Sequence, residues 1–127
     1  MLVDTHVVHW MTTATAELSS VARSAIEGAR EVGISAISWN ELAWLAQHGR
    51  IVPDRPLRAW LDFLASRIQT LPITAAVAAT AVSFPESFTN DPADRLICAT
   101  AIEAGLPLVT KDRRMRSARL AGLRTIW

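Results

Sequence analysis

At 127 residues, half of them hydrophobic and a fifth charged, the chain is long enough to bury one real core and too apolar to stay disordered. Its net charge of +1 hides an asymmetry. Lys111–Arg124 carries six basic residues and one acid, and the rest carries seven basic and eleven acidic residues.

The predicted elements alternate between strand and helix. "MLV" opens as a short apolar strand and runs straight into Asp4, a charge that costs stability there unless something compensates it. "AELSSVARSAIEGAR" predicts a helix with Leu18, Val21, Ala22, Ala25 and Ile26 at core spacing. "VGISAIS" follows as a buried strand, and "WNELAWLAQHG" as a helix closed by Gly49. "PLRAWLDFLASRI" sets Leu57, Trp60, Leu61, Leu64 and Ile68 on one stripe. In "IQTLPI" Pro72 interrupts the strand pattern, which suits a sheet edge. "TAAVAATAVSF" predicts a small-residue helix. "DPADRLICATAIEAG" predicts another, with Asp91 as N-cap, Pro92 at the first helical position and Gly105 as the stop. "LPLVT" is a strand, "KDRRMRSARLAG" a helix and "LRTIW" a last strand. Strands separated by helices imply an α/β domain over 1–127: a mostly parallel sheet of about five strands, with helices on both faces.

Two further readings concern the compartment. The lone cysteine, Cys98 within "LICATAIEA", can form no intrachain disulfide and fits a reducing environment. No charged leader precedes an apolar stretch, and "ITAAVAATAV" is too short to span a bilayer. The expectation is a soluble cytoplasmic protein with no membrane contact.

Parallel sheets bind ligands beyond the carboxyl ends of their strands, and four acids fall there. Asp4 ends the first strand, Glu41 lies in the first turn of the helix after "VGISAIS", Asp94 in the first turn of "PADRLICATA", and Asp112 two residues beyond "LPLVT". Singly, each has a plain explanation as a helix cap or a partner of the positive helix end. Jointly, four carboxylates on one edge repel one another, and without a cation some must stay protonated. A divalent ion relieves that conflict. Magnesium takes oxygen ligands, one or two carboxylates beside several waters and substrate phosphates, and such a site activates water against phosphorus. The basic tail suits a phosphate backbone, and arginine suits it best, although a solvated helix face gives the same pattern.

At these residues the chain resembles a known family. "LVDTH", "SWNEL", "DPADRLICATA" and "LVTKDRRM", in this order and spanning the chain end to end, are similar to the PIN domain and in particular to the VapC-type toxins of bacterial toxin–antitoxin pairs. The resemblance implies a three-layer α/β/α fold and a Mg²⁺- or Mn²⁺-dependent endoribonuclease. Asp4, Glu41, Asp94 and Asp112 match the family's acidic quartet: Asp4 and Asp94 as main metal ligands, Glu41 acting through water, Asp112 at an outer or second site. Thr5 and Thr110 match supporting hydroxyl positions. Asp91 matches a helix-capping acid with a smaller claim on the metal. Arg95, Lys111, Arg113, Arg114 and Arg116 flank the site and are expected to steer RNA, Arg95 equally to orient Asp94. Attack by water predicts 5′-phosphate and 3′-hydroxyl ends. The resemblance further implies a homodimer, and a VapB-like antitoxin whose C-terminal segment wraps a groove that Trp44, Leu45, Leu57 and Trp60 would line.

Other readings are weaker. His6 and His9 could share a helical face, but no third or fourth zinc ligand has a recognisable spacing. Trp10 and Trp44 could stack bases, with helix packing or an interface as the simpler use. A haloacid-dehalogenase-type phosphatase normally has a second aspartate where His6 stands. A DNA-directed metal phosphoesterase, an RNA-processing enzyme without a toxin role, and a non-catalytic binding module remain as alternatives.

Overall fold

A computed structural model describes all residues, 1–127. In chain order the elements are β1 Leu2–Val3, α1 Thr5–Thr13, a 3₁₀ turn Thr15–Glu17, α2 Ser20–Glu27, β2 Gly33–Ser35, α3 Ile37–Gln47, α4 Leu57–Ala65, β3 Gln69–Leu71, α5 Ala75–Ser83, α6 Pro92–Glu103, β4 Leu108–Val109, α7 Arg113–Ser117 and β5 Thr125–Ile126. All four strand pairings are parallel, in the order β3-β2-β1-β4-β5.

Alternation along the strands divides the core between two faces. Leu2 and Leu108 join Ile97, Cys98 and Ala101 of α6 and Met115 of α7. Val3, Ile34 and Val109 join Val7 and Val8 of α1, Ala22 of α2, Leu42 of α3, and Trp60 and Leu64 of α4. The result is the three-layer α/β/α arrangement, with α5 outside α6, where Val77 and Ala81 meet Ala99. The chain builds outward from β1 through β2 to β3, then crosses back to β4 and β5. The reversal between β1 and β4 opens a crevice at their carboxyl ends.

Several expectations change. The strand at "VGISAIS" is only Gly33–Ser35, because Ala36 already has helical dihedrals and α3 begins at Ile37. Glu41 is therefore in the second turn of α3, beyond reach of the strongest helix-end field. Val21 is exposed at 58%; α2 starts only at Ser20, capped by Ser19, and buries Ala22. The helix expected over "KDRRMRSARLAG" is one short turn, Arg113–Ser117, and Arg119 (φ 50°) and Gly122 (φ 83°) turn the chain left-handed beyond it. As expected, β3 is an edge strand, Pro72 follows it directly, and Cys98 is a buried free thiol.

Candidate functional site

Asp4 sits where β1 becomes α1. Its backbone N–H donates to the Val109 carbonyl (3.0 Å), which fixes it to the adjacent strand end. Its side chain caps α1: Oδ1 accepts the Thr5 N–H at 2.7 Å. Oδ2 accepts the Thr110 hydroxyl at 2.7 Å, and that hydroxyl in turn accepts the Asp112 N–H at 3.1 Å. Only 8% of Asp4 is exposed. Burial pushes its pKa up, and the Asp112 charge adds to that. The Thr110 bond, His6 and the Thr5 N–H act against it.

Glu41 comes from α3 and is tied to the same centre by Thr5, whose hydroxyl donates to Oε1 at 2.5 Å. Burial raises its pKa, with further upward pressure from the Asp4 and Asp91 charges and relief from Thr5 and His6. Asp94 occupies the first turn of α6, behind the N-cap Asp91, whose Oδ1 accepts the Ala93 N–H at 2.9 Å. The Asp94 pKa is pushed up to about 6, first by burial and then by the charges of Asp91, Asp112 and Asp4. Its Oδ2 is buried without a hydrogen-bond partner. The Arg114 guanidinium stands 3.5 Å away, close enough for Coulomb attraction and too far for a good hydrogen bond. Asp112 caps α7 through Oδ1, accepting the Arg114 and Met115 N–H groups at 2.6 and 3.3 Å. Its Oδ2 lies 3.4 Å from the Arg114 guanidinium. The combined field reaches Cys98, one turn beyond Asp94. Burial and then Asp94, Asp4 and Asp112 push its thiol up to about 12, so it is no nucleophile at neutral pH.

Asp4, Asp94 and Asp112 thus act on one another across this crevice, and Glu41 couples to them through Asp4. No three His, Cys, Asp or Glu side chains form a ready-made coordination shell. A cation held through one or two carboxylates and completed by water does not require such a shell. The donor set suits a hard divalent ion: every candidate ligand is a carboxylate oxygen, three of the acids are held above their ordinary pKa, and one buried oxygen accepts no hydrogen bond.

Other expected site residues are placed differently. Arg95 does not face the crevice. Its guanidinium donates to the carbonyls of Thr89, Ala81, Phe84 and Pro85, at 2.6–3.2 Å, so its donors are committed to the end of α5 and the loop beyond rather than to Asp94. Trp60 is 4% exposed within the core and lines no groove, and Leu45 and Leu57 are partly buried beside that core. Trp44 is exposed and stacks on His48 with centroids 4.0 Å apart. Lys111, Arg113, Arg114 and Arg116 are exposed near the site. One buried polar group escaped sequence reasoning: Ser38, one turn before Glu41, has no partner for its hydroxyl. A serine between two large apolar residues, Ile37 and Trp39, was the available signal.

A family profile described as PIN domain matches residues 1–120. Over its whole length the chain is 53% identical to Ribonuclease VapC22 of Mycobacterium tuberculosis (strain ATCC 25618 / H37Rv), covering 98% of that protein. Among solved structures it is similar to VapBC2 from Rickettsia felis bound to a promoter DNA fragment (TM-score 0.70, 16% identity, 98% of this chain and 95% of that one). It is also similar to VapBC-1 from nontypeable Haemophilus influenzae (TM-score 0.71, 12% identity, 98% and 94%).

Proposed function

The chain belongs to the PIN-domain family, and from that premise we propose that it is a metal-dependent endoribonuclease, the toxin of a toxin–antitoxin pair. The observation that carries this reading is the crevice between β1 and β4. There a buried Asp4 shares the electrostatic field of Asp94 and Asp112, and a buried oxygen of Asp94 accepts no hydrogen bond, with only the Arg114 charge 3.5 Å away. The 53% identity to a protein named as a ribonuclease supports the substrate class.

Asp4 and Asp94 would hold Mg²⁺ or Mn²⁺, directly or through water. Glu41 would act through water, and Asp112 at an outer or second position. When bound, the ion supplies a positive charge that lowers the pKa of water and offsets charge on the phosphate. The protein's own contribution is to orient these acids. Thr110 fixes one oxygen of Asp4, and Thr5 fixes both the other oxygen, through its N–H, and Glu41, through its hydroxyl. The acids are thereby arranged before substrate arrives. Asp91 keeps a capping role, since Oδ1 is already engaged with the start of α6.

The similarity to VapBC toxin–antitoxin complexes supports a VapB-like antitoxin as protein partner. A basic antitoxin side chain entering among the acids would replace the cation's charge. A homodimer and a cytoplasmic location complete the reading; no helix is long and apolar enough to cross a membrane. The test is incubation of the purified chain with RNA and with DNA, in Mg²⁺, Mn²⁺ or chelator. The expected result is RNA cleavage only with metal, leaving 5′-phosphate and 3′-hydroxyl ends, and its loss in folded Asp4→Asn and Asp94→Asn proteins. Undiminished cleavage by Asp4→Asn would refute the assignment of the site.

A further inference from the structure

One sheet edge carries more than the acids. β5 ends beside β4, so the residue after it, Trp127, emerges at the same edge as Asp4 and Thr110. Its indole lies 5.7 Å from that of Trp10, two turns along α1 from Asp4, at an interplanar angle of 58°. The Lys111 ammonium stands 5.2 Å from the Trp10 ring centre and 5.9 Å from that of Trp127. Lys111 lies between Thr110, which binds Asp4, and Asp112, so the aromatic pair directly adjoins the acidic crevice.

Trp127 also walls an open groove of about 670 Å³, whose other lining residues are Arg113, Arg116, Ser117 and Thr125. Arg113 and Arg116 are three apart on α7 and share a face. The ion pairs of this region engage Lys111, with Glu17, and Arg114, with Asp94 and Asp112. Arg113 and Arg116 have no acidic partner. The five-residue α7 thus presents Arg114 to the acids and two free guanidiniums to a groove walled by an indole. Structural packing does not require that division: the core contact of α7 is Met115.

We propose that this groove is a nucleotide subsite, in which Trp127, backed by Trp10 and Lys111, stacks a base of single-stranded RNA while Arg113 and Arg116 hold the adjoining phosphates. A planar ring beside two forked cations matches a base joined to phosphates, and the hydroxyls of Ser117 and Thr125 add donors for ribose or phosphate oxygen. The subsite extends the acidic crevice toward β5 and fixes the register in which a strand crosses it. This inference rests on the ribonuclease reading.

The test measures binding apart from cleavage. A fluorescent single-stranded RNA of about eight nucleotides is titrated with the full chain in chelator, across a range of salt. The comparison set is wild type, Trp127→Ala, Trp127→Phe and the double variant Arg113→Ala/Arg116→Ala. Trp127→Ala is expected to weaken binding about 10-fold and Trp127→Phe to recover most of it. The double variant is expected to flatten the salt dependence by about one to two counterions. With metal added, KM for RNA rises in the same variants while kcat changes little. Equal RNA affinity and salt slope in all four proteins overturns the subsite, even with cleavage intact. If the variants instead lose only their hold on a co-expressed antitoxin, the groove is a protein-docking surface and the subsite likewise falls. Binding that follows the expected pattern without any metal-dependent cleavage supports the subsite and overturns the ribonuclease reading.

Discussion

Thr110 has one hydroxyl proton and two acceptors in reach, the Asp4 carboxylate at 2.7 Å and the Met115 sulfur at 3.6 Å. The shorter, charge-assisted bond is the stronger one. That choice makes Thr110 a positioning residue: it favours the ionised form of a carboxyl that burial otherwise neutralises. Thr110→Val is therefore expected to raise the Asp4 pKa further. Because the acid must be ionised to hold a cation, the acidic limb of the cleavage–pH profile moves to higher pH. A bond to a charged group is worth about 2 kcal/mol, so a shift of about one and a half pH units is expected, and Thr110→Ser is expected to restore most of it. An unchanged pH profile in Thr110→Val would remove Thr110 from the site. At this scale the sequence was informative. Asp4, Asp94 and Asp112 each stand beside a strand end or helix start that apolar runs and capping residues mark. Thr5 and Thr110 were found through the family resemblance, since a hydroxyl after a strand is unremarkable by itself.

The elements were less legible where local preference and tertiary packing disagree. Thr5–Thr13 is rich in β-branched residues, which lower helix propensity. It is nevertheless a helix, because Asp4 caps it and Val7 and Val8 are fully buried against the sheet. "VGISAIS" reads as strand through its isoleucines, although its second half begins α3. Arg95 shows the reverse problem: its position beside Asp94 in sequence suggested the crevice, while its guanidinium gathers four carbonyls from the end of α5 and the loop beyond. Sequence cannot show which way a long side chain turns. Arg95→Ala leaves those carbonyls without a charged donor. It is expected to destabilise the fold by about 2–4 kcal/mol in urea denaturation, with RNA affinity in chelator unchanged. A stable Arg95→Ala protein with weakened RNA binding would reverse that assignment.

Over the whole molecule, strand–helix alternation made the layered α/β class and the edge position of β3 readable. The order β3-β2-β1-β4-β5 needed the structure, because nothing in a strand of two or three residues names its neighbour. That order brings the acids at the starts of α1, α6 and α7 to one crevice, with Glu41 of α3 tied to Asp4 through Thr5, and the crevice carries a global cost. The Asp94 carboxyl titrates near 6 in the fold and near 3.9 when unfolded, so between these values the native state holds more protons than the unfolded state. The sign follows directly: without metal, stability declines as pH rises from about 4 to about 6 and levels off above. Asp4 and Glu41, also raised, act in the same direction. Asp94→Asn removes its share of this penalty and is expected to raise the melting temperature at pH 7.5 in chelator, by up to about 3 kcal/mol of stability, while abolishing cleavage. A divalent cation offsets the same repulsion. Mg²⁺ or Mn²⁺ is therefore expected to raise the wild-type melting temperature at pH 7.5, by about 3 kcal/mol of stability at a hundredfold excess over Kd. The rise should shrink at pH 4.5, where Asp94 is protonated, and in Asp94→Asn at either pH. Thermal denaturation of the two proteins at both pH values, with metal and with chelator, separates the contributions. A wild-type melting temperature indifferent to metal at pH 7.5 would mean that the acids of this crevice hold no ion.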